Sequence, residues 1–125
     1  MDAIGHCYVL VVEDDAAIRV SLRDALSEEG LRVRVACNGE EALGILAEFG
    51  PAAVVLLDLM MPVMDGEQFR RHQLADPLLA AIPVVLMTAS QVRAQHLQVA
   101  AVLRKPFPID ELFAKVEPFL ARRAS

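Results

Sequence analysis

VVLLDLMMPVMDG, the stretch from Val54 to Gly66, decides how the rest of the chain is read. Its first four residues are all apolar and two are β-branched, as a strand buried on both faces requires. The run stops at Asp58, and a bend at Pro62 and a turn at Asp65-Gly66 follow. An ionised carboxylate inside a dry core is strongly disfavoured. At the C-terminal end of a central strand it can instead face the crevice where open α/β sheets bind ligands. Asp58 is therefore a reactive-site candidate rather than a defect in the core.

The same grammar recurs on either side. Tyr8 to Val12 (YVLVV) is a short apolar strand closed by the triplet Glu13-Asp14-Asp15. Ala17, Ile18, Leu22, Ala25 and Leu26 then recur at helical spacing from Ala16 to about Glu29, with Gly30 placed as a C-terminal cap. Leu31 to Ala36 alternates apolar residues with Arg32 and Arg34, which predicts an edge strand with one wetter face. Asn38 opens a second helix, with Glu41 at capping-box spacing, and Gly50-Pro51 closes it.

Beyond Asp58, a helix is predicted from about Gly66 to Ala75, stopping before Asp76-Pro77. Ile82 to Met87 is another apolar strand, ending in Thr88, and Gln91 to Val99 supports at best a short helix. Ala101 to Leu103 makes a last short strand ending in Arg104-Lys105-Pro106. Pro108 suits the first turn of a final helix from about Ile109. Pro118 removes a hydrogen bond and costs about 3 kcal/mol inside an uninterrupted helix, so a break or kink is predicted near Glu117. The whole is (βα) repeated five times, an α/β fold with right-handed crossovers and a parallel sheet covered on both faces. Parallel strands bring Glu13-Asp14-Asp15, Asp58, Thr88 and Lys105 to one edge of that sheet.

Composition narrows the function. At 125 residues the chain is long enough for one domain, 1–125, around a single aliphatic core: 55% of residues are hydrophobic and 5% aromatic. A net charge of −5 speaks against a broad nucleic-acid surface, and the basic pairs Arg70-Arg71 and Arg122-Arg123 read as solvated helix faces. Cys7 and Cys37 form no metal-like cluster, so reduced thiols and a cytoplasmic domain are the expectation. No signal peptide, transmembrane run or internal repeat is visible.

The chemistry follows from the charges. At about 4 Å and an effective dielectric of about 20, each pair of like charges costs roughly 4 kcal/mol, so something positive must offset the carboxylates. Lys105 supplies one charge. An all-oxygen site of carboxylates, a backbone carbonyl and waters suits Mg²⁺, or Mn²⁺ in its place, and the lack of a strand-end His argues against zinc. One carboxylate can then act as a nucleophile toward a phosphoryl group, with the metal, Lys105 and the Thr88 hydroxyl on its equatorial oxygens. Each residue has a plainer reading: Asp14 and Asp15 as helix caps, Thr88 as an ordinary strand end, Lys105 as a solvated lysine. Their arrival together at the ends of separate strands favours a site. His6, His72 and His96 are scattered and receive no role.

Four segments carry a family resemblance: VLVVEDD (Val9 to Asp15), LLDLMMPVMDG (Leu56 to Gly66), IPVVLMTA (Ile82 to Ala89) and RKPF (Arg104 to Phe107). In this order they resemble the receiver domain of two-component response regulators, over essentially the whole chain. The resemblance implies a flavodoxin-like, doubly wound sheet of order 2-1-3-4-5. It also implies that Asp58 accepts a phosphoryl group from a histidine kinase, a phosphotransfer protein or a small phosphodonor. Asp14 corresponds to the direct Mg²⁺ ligand, Glu13 to a ligand acting through water, and Met60 to the residue whose backbone carbonyl completes the metal site. Thr88 corresponds to the switch hydroxyl, Lys105 to the lysine that pairs with the phosphoryl group, and the Lys105–Pro106 bond should be cis.

The departures are specific to this chain. Lys105 follows Thr88 by 17 positions, several fewer than the family usually has, so the fourth helix of the pattern should be short or irregular. Val102 stands where the family carries an aromatic switch residue. In the family the positions of Met60 and Ser90 border the path of the hydrolytic water, so the resemblance and an apolar Met60 predict slow loss of the phosphoryl group. The reading is a phosphorylation-controlled signalling switch, not an enzyme acting on other substrates. Its output would pass to a downstream protein, since only Ala121 to Ser125 follow the last helix unless the chain was excised from a longer one. No nucleic acid or membrane is expected as a partner, and a homodimer stays open. The rivals are a constitutive interaction module with a vestigial site and a Mg²⁺-dependent phosphohydrolase.

Overall fold

The computed structural model describes residues 8–89 and 97–124, the last four of these without side chains. Along the chain the elements are β1 (Val9–Val12), α1 (Ala16–Glu28), β2 (Val33–Ala36), α2 (Gly39–Phe49), β3 (Val54–Asp58), α3 (Gly66–Ala75), a single turn α4 (Pro77–Ala80), β4 (Val84–Thr88), β5 (Ala101–Arg104) and α5 (Ile109–Ala124). The five strands form one sheet of order β2-β1-β3-β4-β5, parallel at every pairing. The flavodoxin-like order that the resemblance implies is the order observed.

The pleat sorts each apolar run onto two layers. Leu10, Val12, Val55, Leu57 and Leu86 face one side with α2 and α3, around a fully buried Phe69. Val9, Val11, Val54, Leu56, Val85 and Met87 face the other, against Leu22 and Leu26 of α1 and Leu112 and Val116 of α5. Both layers bury a whole set of aliphatic side chains, which is why β1, β3 and β4 tolerate no polar residue before their last position.

Local signals end the helices as the sequence suggests. Gly30, at φ +84, donates to Ser27 O while Leu31 N donates to Leu26 O, the paired bonds of a Schellman cap on α1. Gly50, also at φ +84, caps α2. Asn38 Oδ1 accepts from Glu41 N at 2.9 Å, but Glu41 Oε1 reaches past the cap residue to Cys37 N at 2.6 Å.

Three expectations need correction. Asp76-Pro77 does stop α3, yet it also starts α4 at once: Asp76 Oδ1 accepts from Leu78 N and Pro77 sits in the first turn, where its missing N–H costs nothing. Pro118 does not break α5, which runs on to Ala124. Both Pro118 and Ala114, whose carbonyl loses its partner, are exposed, so water can satisfy the freed oxygen. Arg70 is not a solvated residue. It is partly buried, with Nη1 donating to Gln73 Oε1 at 2.8 Å and Nη2 donating to Gln98 O. Arg71 is exposed as expected, while the side chains of Arg122 and Arg123 lie outside the described residues. So do Cys7 and the part of the predicted fourth helix from 91 to 96, with Ser90 before it; 97–100 is irregular chain leading into β5.

Candidate functional site

Four of the predicted residues converge because the register brings their strand ends level. Val12 pairs with Leu57 and Asp58 with Met87, so Glu13, one residue past β1, and Asp58, the last residue of β3, share the carboxyl edge of the sheet. Thr88 ends β4 opposite Arg104, and Lys105 N donates to Thr88 O at 2.9 Å. Lys105 precedes Pro106 through a cis peptide bond, as the resemblance implied.

The side chains meet there. Lys105 Nζ lies 2.8 Å from Glu13 Oε1 and 3.3 Å from Asp58 Oδ1. One oxygen from each of Glu13, Asp14 and Asp58 falls within 4.8 Å of the others. Glu13, Asp58 and Thr88 are nearly fully buried, at 1%, 5% and 2% exposure, whereas Asp14 is open to solvent. The notch is therefore a dry floor with one wet wall. Met60, two residues past Asp58, is 58% exposed at the start of the loop that leads to α3.

Among the described residues, three carboxylates face one ammonium here, and the electrostatics show the imbalance. Burial, and then the charge of Glu13, push the Asp58 carboxyl from 3.8 up to about 7, against the opposing pull of Lys105. Burial alone would lower the Lys105 ammonium, but the hydrogen bond to Glu13 and the charges of Asp58 and Glu13 hold it above its usual value. A site that keeps a proton on a carboxylate near neutrality has room for more positive charge. The donor set is oxygen throughout, with one ligand reachable from water, which fits a hard divalent cation such as Mg²⁺.

Backbone detail that the sequence did not reveal braces this notch. Arg19 Nη1 donates to Glu13 O at 2.8 Å and to Asp14 O at 3.3 Å, and Asp15 N donates to Glu13 Oε2 at 3.2 Å. Asp15 itself caps α1, accepting from Ile18 N at 3.1 Å, so the plainer reading holds for it but not for Asp14. Gly66 starts α3 so close to β3 that a Cβ there would lie 2.5 Å from Asp58 O. Asp65 and Gln68 close a capping box around that start. Val102, at the expected aromatic position, is partly buried against the core with Leu97 and Val99.

The family profile described as the response regulator receiver domain matches residues 9–117. The response regulator MprA of Mycolicibacterium vanbaalenii is 40% identical over 121 residues, covering 91% of this chain and 50% of that protein. MprA of Mycobacterium avium shows the same identity, covering 91% and 51%. The chain thus spans about half the length of the curated relatives it matches. Among solved structures, a CheY-like receiver domain protein from Methanospirillum hungatei superposes with a TM-score of 0.81 at 31% identity, over 95% of this chain and 98% of that one. The response regulator TrrA of Thermotoga maritima, solved in complex with Mg²⁺-BeF, superposes with a TM-score of 0.80 at 31% identity, over 90% and 98%.

Proposed function

Because the chain belongs to the response regulator receiver family, we propose that it is a phosphorylation-controlled switch in which Asp58 is the phosphoacceptor. The observation that carries this reading is the ammonium of Lys105 held between Glu13 and Asp58, with Asp14 completing an acidic cluster. An Asp58 oxygen attacks phosphorus, and the bond from phosphorus to the donor's leaving atom breaks with its electron pair going to that atom. For a phosphohistidine donor, that atom is an imidazole nitrogen.

Asp14, Asp58 and the Met60 carbonyl would hold a Mg²⁺ ion, with Glu13 acting through water. Bound there, the cation supplies the positive charge that offsets the carboxylates and the phosphoryl oxygens. Lys105 leaves its place against Asp58 to pair with the transferred group. The Thr88 hydroxyl donates to another phosphoryl oxygen, and its inward movement biases a two-state equilibrium on the face formed by β4, β5 and α5. Val102 cannot turn as an aromatic ring would, so output does not run through that coupling.

The phosphoryl donor is a histidine kinase or phosphotransfer protein, and the readout is altered binding to a downstream protein. The whole of 1–125 acts as the receiver domain, in the cytoplasm. No helix among the described residues is long and apolar enough to cross a membrane. Incubation with acetyl phosphate, followed by intact-mass measurement with and without Mg²⁺, tests the reading. A gain of one phosphoryl group that needs Mg²⁺ and disappears in Asp58→Asn is expected. Turnover of the donor without a modified protein would point to the phosphohydrolase rival, and no reaction at all to the vestigial module.

A further inference from the structure

The loop from Met60 to Asp65 joins Asp58 to α3, and its shape is fixed at its base, by a turn of its own and by a bond from α2. Leu59 O accepts from Gly66 N at 2.9 Å, which closes the loop at its base. Pro62 O accepts from Met64 N at 2.8 Å around Val63, whose φ of 67 makes this a γ-turn of the uncommon positive-φ kind. The far side is tied to a different element: Gly39 N, at the first position of α2, donates to Met64 O at 2.9 Å. The first N–H groups of a helix have no partner within it, so this donor is available for the purpose. Residue 39 must also be small. A Cβ on Gly39 would lie 2.8 Å from Met64 Cγ and 3.0 Å from Met64 O. Its φ is not positive, so the need for glycine comes from this contact rather than from the backbone. Asn38 and Glu41, bonded to Glu41 N and Cys37 N, hold the turn that aims the donor.

We propose that Gly39 is a positioning residue for metal binding: by letting α2 seat against Met64, it sets the loop so that the Met60 carbonyl meets the cation held by Asp14 and Asp58. This rests on the functional reading above. Met60 lies four residues before Met64 in a loop whose base the Leu59–Gly66 bond closes, so a shift of Met64 has only Met61 to Val63 in which to be absorbed before it reaches Met60. Groups that orient a metal ligand from behind commonly change affinity by a factor of ten or more when altered.

The test is Mg²⁺ affinity of the full chain, measured by calorimetry with Mg²⁺ alone and by the methyl resonances of ¹³C-labelled Met60 and Met61. In Gly39→Ala the dissociation constant is expected to rise about tenfold, while melting without Mg²⁺ changes little. Gly44→Ala, on the same helix with nothing within 4 Å of the added carbon, should leave affinity unchanged. Met64→Ala combined with Gly39→Ala should recover most of the loss, because two of the three closest atoms belong to the Met64 side chain. If Gly39→Ala does not fold, Asn38→Ala is measured instead and should weaken binding about threefold by loosening the cap. Affinity within twofold of the unsubstituted chain in the folded variant, or equal loss in Gly44→Ala, overturns the proposal. Failure of the unsubstituted chain to take up Mg²⁺ at millimolar concentration overturns the functional reading, and this proposal with it.

Discussion

Among the described residues, two regions bury polar side chains, and they do so in opposite ways. At the carboxyl edge of the sheet, Glu13, Asp14 and Asp58 crowd one ammonium and are left short of positive charge. On the α3 side, Gln73 is fully buried yet well provided for. Its Nε2 donates to Leu79 O at 2.9 Å and Ile82 O at 3.0 Å, and its Oε1 accepts from Arg70. Arg70 extends the chain of bonds to Gln98 O, although its Nε has no partner among the described residues. Burial holds the Arg70 guanidinium below its usual value, but its partners are neutral amide oxygens. A cluster whose bonds are nearly complete is fastened, and one with excess charge is poised to take a ligand.

The contrast is sharpest in the response to losing one side chain. Asp58→Asn should abolish phosphoryl transfer and raise stability above pH 7, since it removes a buried acid that resists ionisation. A gain of about 3 °C or more in Tm at pH 7.5 is expected. Gln73→Leu should do the reverse: it strands two carbonyls and the Arg70 Nη1 donor, at a cost of about 3 kcal/mol. Phosphorylation of the remaining folded protein should stay normal. Urea unfolding alongside the mass assay separates the two. A destabilised Asp58→Asn, or a Gln73→Leu as stable as the parent, would break the distinction. Arg70→Met gives up a bond to a carbonyl on an exposed residue but also strands Oε1 of the buried Gln73, so it should cost about 2 kcal/mol, less than Gln73→Leu.

How legible each region was follows from the same contrast. The poised edge announces itself, because Glu13, Asp58 and Thr88 are polar residues that end apolar strands, and parallel topology alone brings them together. The fastened cluster does not. Arg70 and Gln73 stand three apart on a helix rich in polar residues, where burial has no local signal, so Arg70 reads with Arg71 as a wet face and Gln73 does not stand out. Asp76-Pro77 reads as a stop, although the same two residues are an N-cap and a first helical position. Pro118 reads as a break because the sequence does not say that the carbonyl it frees faces water. The fit of Gly39 against Met64 depends on how α2 seats on a loop 25 positions later, which no local pattern encodes.

A pH titration probes the poised side alone. Asp58 ionises near 3.8 when unfolded and at about 7 when folded, so between these values the native state holds a proton that the unfolded chain has released. Its contribution is fully present below pH 4 and is lost as pH rises through 7. The metal-free protein should therefore lose stability between pH 4 and 7 and level off above, and Asp58→Asn should flatten that decline. Saturating Mg²⁺ should oppose it, by favouring the ionised carboxylate. Thermal melts in EDTA and in Mg²⁺ check this. A metal-free protein that gains stability from pH 5 to 7, with Asp58→Asn following the same curve, would show that the carboxylates are already compensated.

The smallest effect asks whether the poised edge also stores cost in its backbone. Val63 holds φ 67 at 74% exposure, so a β-branched side chain occupies a left-handed conformation with little packing to repay it. The strain of such a residue is about 1–2 kcal/mol. Glycine would remove it while adding roughly 0.5–1 kcal/mol of chain entropy to the unfolded state. The difference leaves Val63→Gly more stable by about 0.5–1 kcal/mol, which urea unfolding can resolve. Because Gly66 N and Gly39 N hold the loop on both sides of the γ-turn, its outline should persist and Mg²⁺ affinity should stay within twofold. A Val63→Gly chain that is more stable but binds Mg²⁺ much more weakly would mean that the side chain itself stiffens the loop. The stored strain would then belong to the site's function rather than to its history.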